Sequence, residues 1–126
     1  VVTAGTALTV DALYAGEFLG GIIVPGYQFM RTALMQNTAQ LNADPGTFNP
    51  FPTNTADAIT SGCQLALAGA VTSMASALER RTQQPIQIWV NGGDAEILTP
   101  HLSLPTHLED NLVLTGLHII AQEVFA

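Results

Sequence analysis

The chain has 126 residues, the length of a single domain, which is enough to bury a hydrophobic core. Hydrophobic residues make up 48% of it and charged residues only 10%, against about 25% charged residues in ordinary soluble domains. Its 10 acidic residues outnumber 3 basic ones, so the formal charge is −7. Nucleic-acid binding depends largely on neutralising phosphates, so this charge disfavours direct contact with DNA or RNA.

The shortage of charge predicts either a membrane segment or a surface that another protein covers. The most apolar stretch, residues 18–27, contains glycines and a proline and is shorter than the ~20 residues of a spanning helix. We therefore expect no membrane segment, and a face buried by a partner lobe or a second subunit. Cys63 is the single cysteine, which excludes an internal disulfide and fits the reducing cytoplasm. Residue 1 is not Met and falls within a predicted strand, so we expect a fragment with one domain over 1–126.

Three β-rich runs open the chain, at residues 1–7, 8–15 and 17–24. They are rich in Val, Ile, Leu, Thr and Phe, and glycines separate them. Their connections are too short for crossover helices, so the runs predict an antiparallel meander.

A helix is predicted after Pro25-Gly26, because apolar residues then recur at intervals of three, four and seven. These residues are Tyr27, Met30, Leu34 and Leu41. Residues 42–53 contain several prolines and predict an irregular loop. A loop of this length in a compact domain is usually functional or wraps a neighbour.

A long helix is predicted next, with Thr53, Asn54 or Thr55 as its N-cap and Asp57 in its first turn. Pro85 ends it. Its apolar stripe consists of Ile59, Cys63, Ala66, Ala70, Met74 and Ala77. Small residues crowd the same segment, and two interpretations stay open: packing in the core, or close contact at a dimer or lobe interface.

The remaining pattern predicts a buried strand at 86–90, a tight turn at 91–94 and helices at 95–102 and 112–125. The predicted order is βββ-α-loop-α-β-α-α, a mixed α/β domain.

Two glycine-marked turns are candidates for phosphate contact. Gly5-Thr6 lies between the first two strands, where glycine lets backbone N–H groups approach an anion and threonine adds a hydroxyl. Gly92-Gly93 follows a strand and opens a helix with Asp94, and the N-terminus of a helix favours anions. Both are more commonly ordinary turns, with Asp94 as a helix cap, so the residues alone leave both interpretations open.

The three histidines lack the spacing of metal ligands, and no cysteine or carboxylate cluster joins them, so no zinc site is predicted. They are His101, His107 and His118. No serine lies on a recognisable nucleophile elbow. Four acidic residues lie near glycines or turns: Asp11, Glu17, Asp57 and Asp94. Each could bind a metal or act as a base, but acidic residues in such positions are more commonly helix caps or solvated side chains.

Four segments, in this order, resemble the second domain of type III pantothenate kinases, which belong to the ASKHA (acetate and sugar kinase, Hsc70, actin) superfamily. They are VVTAGTALTVD (1–11), FLGGIIVPG (18–26), NTADAITSG (54–62) and NGGDA (91–95). Residues 38–41 and 112–117 are also similar to family features. The resemblance implies an α/β, RNase H-like (actin-like ATPase) fold and the second, C-terminal lobe of a two-lobe kinase, without the N-terminal lobe.

The resemblance also implies a function. The intact protein would phosphorylate pantothenate with ATP and magnesium, the first step of coenzyme A synthesis, as a cytoplasmic homodimer. Gly5-Thr6 match the second phosphate-binding turn, with Thr6 touching ATP, and Gly92-Gly93 border the nucleotide cleft. Thr55 matches the threonine that reaches pantothenate across the dimer interface.

Two departures from the family pattern matter. Thr3 stands where the family usually has an aspartate that helps to bind a monovalent cation, potassium or ammonium, and a hydroxyl coordinates only weakly. The first phosphate loop and the catalytic aspartate belong to the N-terminal lobe, so this chain alone is expected to be inactive. Some relatives were named Bvg accessory factors, so a transcriptional accessory role is one alternative. A lobe for dimerisation without catalysis is another.

Overall fold

A computed structural model describes residues 1–36 and 45–125 as a mixed sheet with helices against one of its faces. The strands are β1 (Val2–Ala4), β2 (Ala7–Tyr14), β3 (Glu17–Pro25), β4 (Ile88–Asn91) and β5 (Thr106–Leu108). The helices are α1 (Tyr27–Gln36), α2 (Thr55–Thr82), α3 (Ala95–Leu98) and α4 (Leu112–Phe125), and a 3₁₀ turn, Thr99–His101, follows α3. Predictions for 37–44, including Leu41 and the segment 38–41, lie outside the described residues.

The sheet has the order β3-β2-β1-β4-β5. β1, β2 and β3 pair antiparallel, whereas β4 pairs parallel with both β1 and β5. The predicted α/β class and the N-terminal meander are confirmed. β5 is an addition that the sequence pattern did not predict, because three residues show no periodicity and become a strand by pairing with β4. The predicted helix 95–102 is divided, since Pro100 has no N–H to continue it.

The hydrophobic core lies between the sheet and α2. Successive side chains of a strand point to opposite faces, so alternate residues of β1, β2 and β4 are buried together. They are Val2, Ala4, Leu8, Val10, Ile88 and Val90, and from α2 they meet Cys63, Leu67, Ala68 and Val71.

The buried face of α2 corrects the predicted apolar stripe. Cys63 is the only member of that stripe that is fully buried, whereas Ala66 and Ala77 are exposed. The core face is centred on Leu67 and Val71 instead. Apolar or small residues lie on nearly every side of α2, so periodicity alone does not select the face that packs on the sheet.

The ends of α2 follow local chemistry. Asn54, one of three predicted candidates, is the N-cap: its Oδ1 accepts a hydrogen bond from Asp57 N at 2.9 Å, and its Nδ2 donates to Asp57 Oδ2 at 2.8 Å. At the other end Gln83 adopts a left-handed conformation, with φ 55°, and its N–H donates to Glu79 O at 2.8 Å.

By length and composition alone α2 would also be able to cross a membrane, which the prediction from residues 18–27 did not consider. Its face on the sheet, with Cys63, Leu67, Val71 and Ala75 buried, is that of a core helix in a globular lobe.

α4 differs from α2 in having no buried residue. Its large apolar side chains, among them Leu114, Leu117 and Val124, are more than half exposed, except Leu112, which is partly buried. The second face of the sheet is also open over part of its area, where Trp89 and His107 stack with their ring centroids 4.4 Å apart. The described residues therefore present two apolar surfaces to their surroundings.

Candidate functional site

The turn between β1 and β2 is the first element of the candidate site. Gly5 N donates to Ala7 O at 3.1 Å, and the side chain of Thr6 is exposed. Thr6 O accepts from Gly26 N, at the start of α1, at 2.9 Å. A Cβ at Gly26 would overlap the carbonyl oxygens of Gly5 and Thr6, so a larger residue would force the two turns apart. The predicted Gly5-Thr6 turn is thus fixed against the beginning of α1.

The turn at residues 91–94 meets β1 at the same edge of the sheet, because β1 and β4 are parallel neighbours. Asp94 N donates to Ala4 O at 3.0 Å. Gly92 has φ +104°, and a Cβ there would overlap the backbone of Ala4, so this position requires glycine. Gly93, by contrast, has open space around its Cβ position.

We name this region the glycine edge: Gly5-Thr6, Gly26 and the turn 92–94. It unites two turns that are predicted from the sequence as separate features. The cavity beneath it measures only about 10 Å³ and is lined by residues that include Gly5, Gln64 and Asp94. That volume suits about one water molecule. A larger ligand would therefore lie on the outer surface of the glycine edge, where Thr6 and Gly93 are exposed.

Thr3 lies in β1 opposite Asn91 of β4. The buried Asn91 donates from Nδ2 to Thr3 Oγ1 at 3.1 Å and to Val2 O at 3.2 Å. The hydroxyl oxygen of Thr3 thus faces a hydrogen-bond donor and carries no negative charge. This hydrogen bond joins β1 to β4 and uses one lone pair of the Thr3 hydroxyl, which makes Thr3 a weaker cation ligand than a carboxylate.

Thr55 begins α2 and is exposed. With Met30, Leu34 and Ala58 it lines an open groove of about 380 Å³ between α1 and α2. Gln64, beneath the glycine edge, comes nine residues later on the same helix, a separation of about 13 Å at 1.5 Å per residue. Within this chain the structure therefore does not bring Thr55 to the glycine edge.

The loop that precedes α2 lies along the first turns of that helix. Thr47 N donates to Asp57 Oδ1 at 2.7 Å, and Asn49 N donates to Ser61 Oγ at 2.9 Å. The hydrogen bonds from Thr47 and from the side chain of Asn54 stabilise the carboxylate and lower the pKa of Asp57 below 3.8. Asp57 therefore orders the loop as well as the start of α2.

His101 connects this loop to the glycine edge and had no role in the sequence analysis. Its ring packs on Phe48 with the centroids 4.3 Å apart, and its Nε2 lies 2.8 Å from Gln64 Oε1. Gln64 in turn lines the cavity under Gly5 and Asp94. Nothing in the sequence indicated these contacts, because the partners lie 37 or more positions apart.

Cys63 is buried in the core, and burial raises the pKa of its thiol against the opposing effect of Arg31. A buried, protonated thiol is a poor nucleophile. Residues 1–36 and 45–125 contain no group of three or more His, Cys, Asp and Glu side chains that would hold a metal ion.

The fold and the glycine edge define an α/β lobe of the nucleotide-kinase-like class. The sequence pattern of the family described as Type III pantothenate kinase matches residues 1–77, more than half of the chain. The chain therefore belongs to the type III pantothenate kinase family, of which it represents a C-terminal lobe.

Curated relatives support the same assignment. The type III pantothenate kinase of Janthinobacterium sp. (strain Marseille) is 50% identical over 127 residues, covering 96% of this chain and 48% of the relative. That of Chromobacterium violaceum is 46% identical over 123 residues, covering 96% of this chain and 52% of the relative. The chain thus spans about half the length of the curated relatives it matches.

A solved structure shows the same fold. It is the crystal structure of a conserved Campylobacter jejuni protein assigned to the Baf family of transcriptional activators. The TM-score is 0.68 over 97% of this chain and 56% of that one, with 23% sequence identity. At this identity the likeness concerns the fold alone.

Proposed function

We propose that the intact protein is an ATP-dependent pantothenate kinase and that residues 1–126 form its second, C-terminal lobe. The observation that carries the proposal is the glycine edge, where the Gly5-Thr6 turn and the turn at 92–94 meet at the carboxyl ends of two parallel strands. Ligands of open α/β sheets bind outside this end, where the strand order changes direction. That change occurs here at β1, between β2 and β4.

ATP fits the outer surface of the glycine edge. We assign contact with its phosphates to Gly5-Thr6 and the border of the nucleotide to Gly92-Gly93, because Thr6 and Gly93 are exposed and the Cβ position of Gly93 is open. Magnesium bound to the phosphates would neutralise charge during phosphoryl transfer. The general base, by resemblance an aspartate of the N-terminal lobe, lies outside this chain, so the isolated chain should be inactive.

Pantothenate is assigned to Thr55. This residue lies in the open groove between α1 and α2, away from the glycine edge of its own chain. An exposed hydroxyl beside an apolar groove suits a small ligand with both hydroxyl and methyl groups. The distance from Thr55 to the glycine edge supports a homodimer, in which Thr55 would complete the site of the other subunit.

Two exposed surfaces of this lobe are suited to contact with partners. The apolar side chains of α4 are exposed from Val113 to Phe125, and we propose that the N-terminal lobe covers them. The exposed residues of α2 include Gly62, Ala66 and Gly69, of which the first two also line the groove beside Thr55; these small residues would allow a second subunit to approach closely. Use of ATP and the free Cys63 thiol both fit a protein of the cytoplasm.

A kinase assay on the intact protein tests this function. We expect ATP-dependent phosphorylation of pantothenate that does not depend on potassium or ammonium, because the Thr3 hydroxyl is a weak cation ligand. Loss of one hydrogen bond should raise KM about fivefold: for ATP in Thr6→Ala and for pantothenate in Thr55→Ala. Thr53→Ala, an exposed threonine of the adjoining loop, is the matched control.

Each outcome has a separate meaning. No phosphorylation with or without either cation would overturn the kinase function. Unchanged kinetics of Thr55→Ala would overturn only the pantothenate assignment. A requirement for potassium would overturn the interpretation of Thr3. The alternative role as a transcriptional accessory draws no support from the charge of −7, and a purely dimerising lobe would leave the form of the glycine edge without a use.

A further inference from the structure

A continuous set of contacts joins the loop before Thr55 to the glycine edge of the same chain. The loop before α2 is held to the helix through Asp57 and Ser61, and it leads directly into Thr55. Between these two points of attachment Phe48 packs on the ring of His101 at 4.3 Å. The loop is therefore attached both to α2 and to the segment that follows α3.

The other side of His101 reaches the glycine edge by two routes. Its Nε2 is 2.8 Å from Gln64 Oε1, and Gln64 lines the cavity beneath Gly5 and Asp94. Along the chain, His101 ends the 3₁₀ turn that continues α3, and α3 begins immediately after Asp94. A movement of His101 would thus be transmitted both to the turn at 92–94 and to the floor of the glycine edge.

We propose that His101 is a positioning residue, which holds the loop before Thr55 and the glycine edge in one fixed arrangement through Phe48 and Gln64. It touches neither proposed ligand. It acts by supporting the loop before Thr55 and the glycine edge through one chain of contacts. The three side chains of that chain of contacts, Phe48, His101 and Gln64, are partly buried. The effect on catalysis rests on the proposed kinase function, whereas the structural coupling does not.

The chain supplies a closely matched control. His107 stacks on Trp89 at 4.4 Å, nearly the same ring distance as His101 on Phe48, but it lies on the open face of the sheet. Replacing either histidine by alanine removes one aromatic contact at a similar centroid distance, with the rings tilted by 49° at His101 and stacked at 21° at His107. Only His101→Ala interrupts the connection between the loop and Gln64.

Hydrogen exchange of the intact protein tests the structural coupling. In His101→Ala we expect exchange at 45–55 and at 92–98 to accelerate together, by about threefold or more, while His107→Ala leaves 45–55 unchanged. His101→Gln retains an N–H donor for Gln64. In this variant the exchange rate at 92–98 should therefore stay closer to that of the unsubstituted protein than the exchange rate at 45–55. If His101→Ala does not fold, His101→Gln still tests whether His101 couples the loop to the glycine edge. Acceleration of 45–55 with no change at 92–98 in His101→Ala, or no acceleration of 45–55 in His101→Gln, would overturn the proposal.

Steady-state kinetics test the consequence for catalysis. His101→Ala should raise KM for both ATP and pantothenate by about fivefold, and His107→Ala should change either value less than about twofold. The double variant Phe48→Ala with His101→Ala should be no worse than the poorer single variant, because both interrupt one connection. Additive effects would overturn the proposal. If the unsubstituted protein does not phosphorylate pantothenate, the kinase function fails and hydrogen exchange still decides the role of His101.

Discussion

The glycine edge and α4 lie at opposite extremes of packing in this lobe. At the glycine edge backbone meets backbone so closely that Gly26 and Gly92 leave no room for a Cβ atom. α4 has no buried residue, although most of its side chains are apolar. The contacts that shape the first region lie within the chain, whereas the second is the exposed apolar surface that we propose the N-terminal lobe covers.

This difference indicates which properties the isolated lobe should retain. The shape of the glycine edge is set by contacts among β1, β4 and the start of α1, so it should persist without a partner. The apolar surface of α4 can contribute to stability only when something covers it. Substitutions in the two regions should consequently behave differently in the isolated lobe and in the intact protein.

The largest effect is expected at Gly92. Alanine there would be strained at φ +104° and would overlap Ala4, so Gly92→Ala should lower the free energy of unfolding by about 4 kcal/mol. Gly93→Ala, at a position with open space, should change it by less than about 0.5 kcal/mol. Urea denaturation measures both. Equal stability of the two variants would show that the turn rearranges freely.

Two leucines compare the core with α4 directly. Leu67 is 4% exposed and Leu117 is 56% exposed. In the isolated lobe Leu67→Ala should cost about 3 kcal/mol and Leu117→Ala less than about 0.5 kcal/mol. In the intact protein the cost of Leu117→Ala should rise to about 2 kcal/mol, because the partner lobe would bury it. A cost that stays the same in both proteins would contradict the assignment of α4 as a covered surface.

The smallest effect concerns the cap of α2. Asn54→Ala should lower the free energy of unfolding by about 1 kcal/mol, since it removes the hydrogen bond to Asp57 N. Thermal denaturation of the variant at neutral pH measures this cost. An unchanged melting temperature would show that solvent replaces the cap.

Asp57 adds a pH dependence to the same region. Its folded-state pKa lies below 3.8, so its contribution is present above that pH and is lost as the pH falls through the lower, folded value. Asp57→Asn should therefore flatten the acid side of the stability profile. Asp110→Asn removes an equal charge from an exposed position and controls for net charge.

The sequence alone predicted most of the secondary structure. Short-range signals were sufficient where the cause was local: glycines between the first strands, Asn54 at the start of α2, and Pro25-Gly26 before α1. β5 was missed because its three residues form a strand only by pairing with β4. The buried face of α2 was misplaced, since a helix with small or apolar residues on nearly every side can pack on any of them.

The sequence by itself determined the α/β class, the family through the ordered motifs, and the two glycine turns as separate features. Only the tertiary structure decided that the two turns meet, that Thr55 lies away from them, and that Asn91 donates to Thr3. It alone joined Phe48, His101 and Gln64. The physical reason is that turns and caps depend on neighbouring residues, whereas a site depends on strand pairing and packing between residues far apart in the chain.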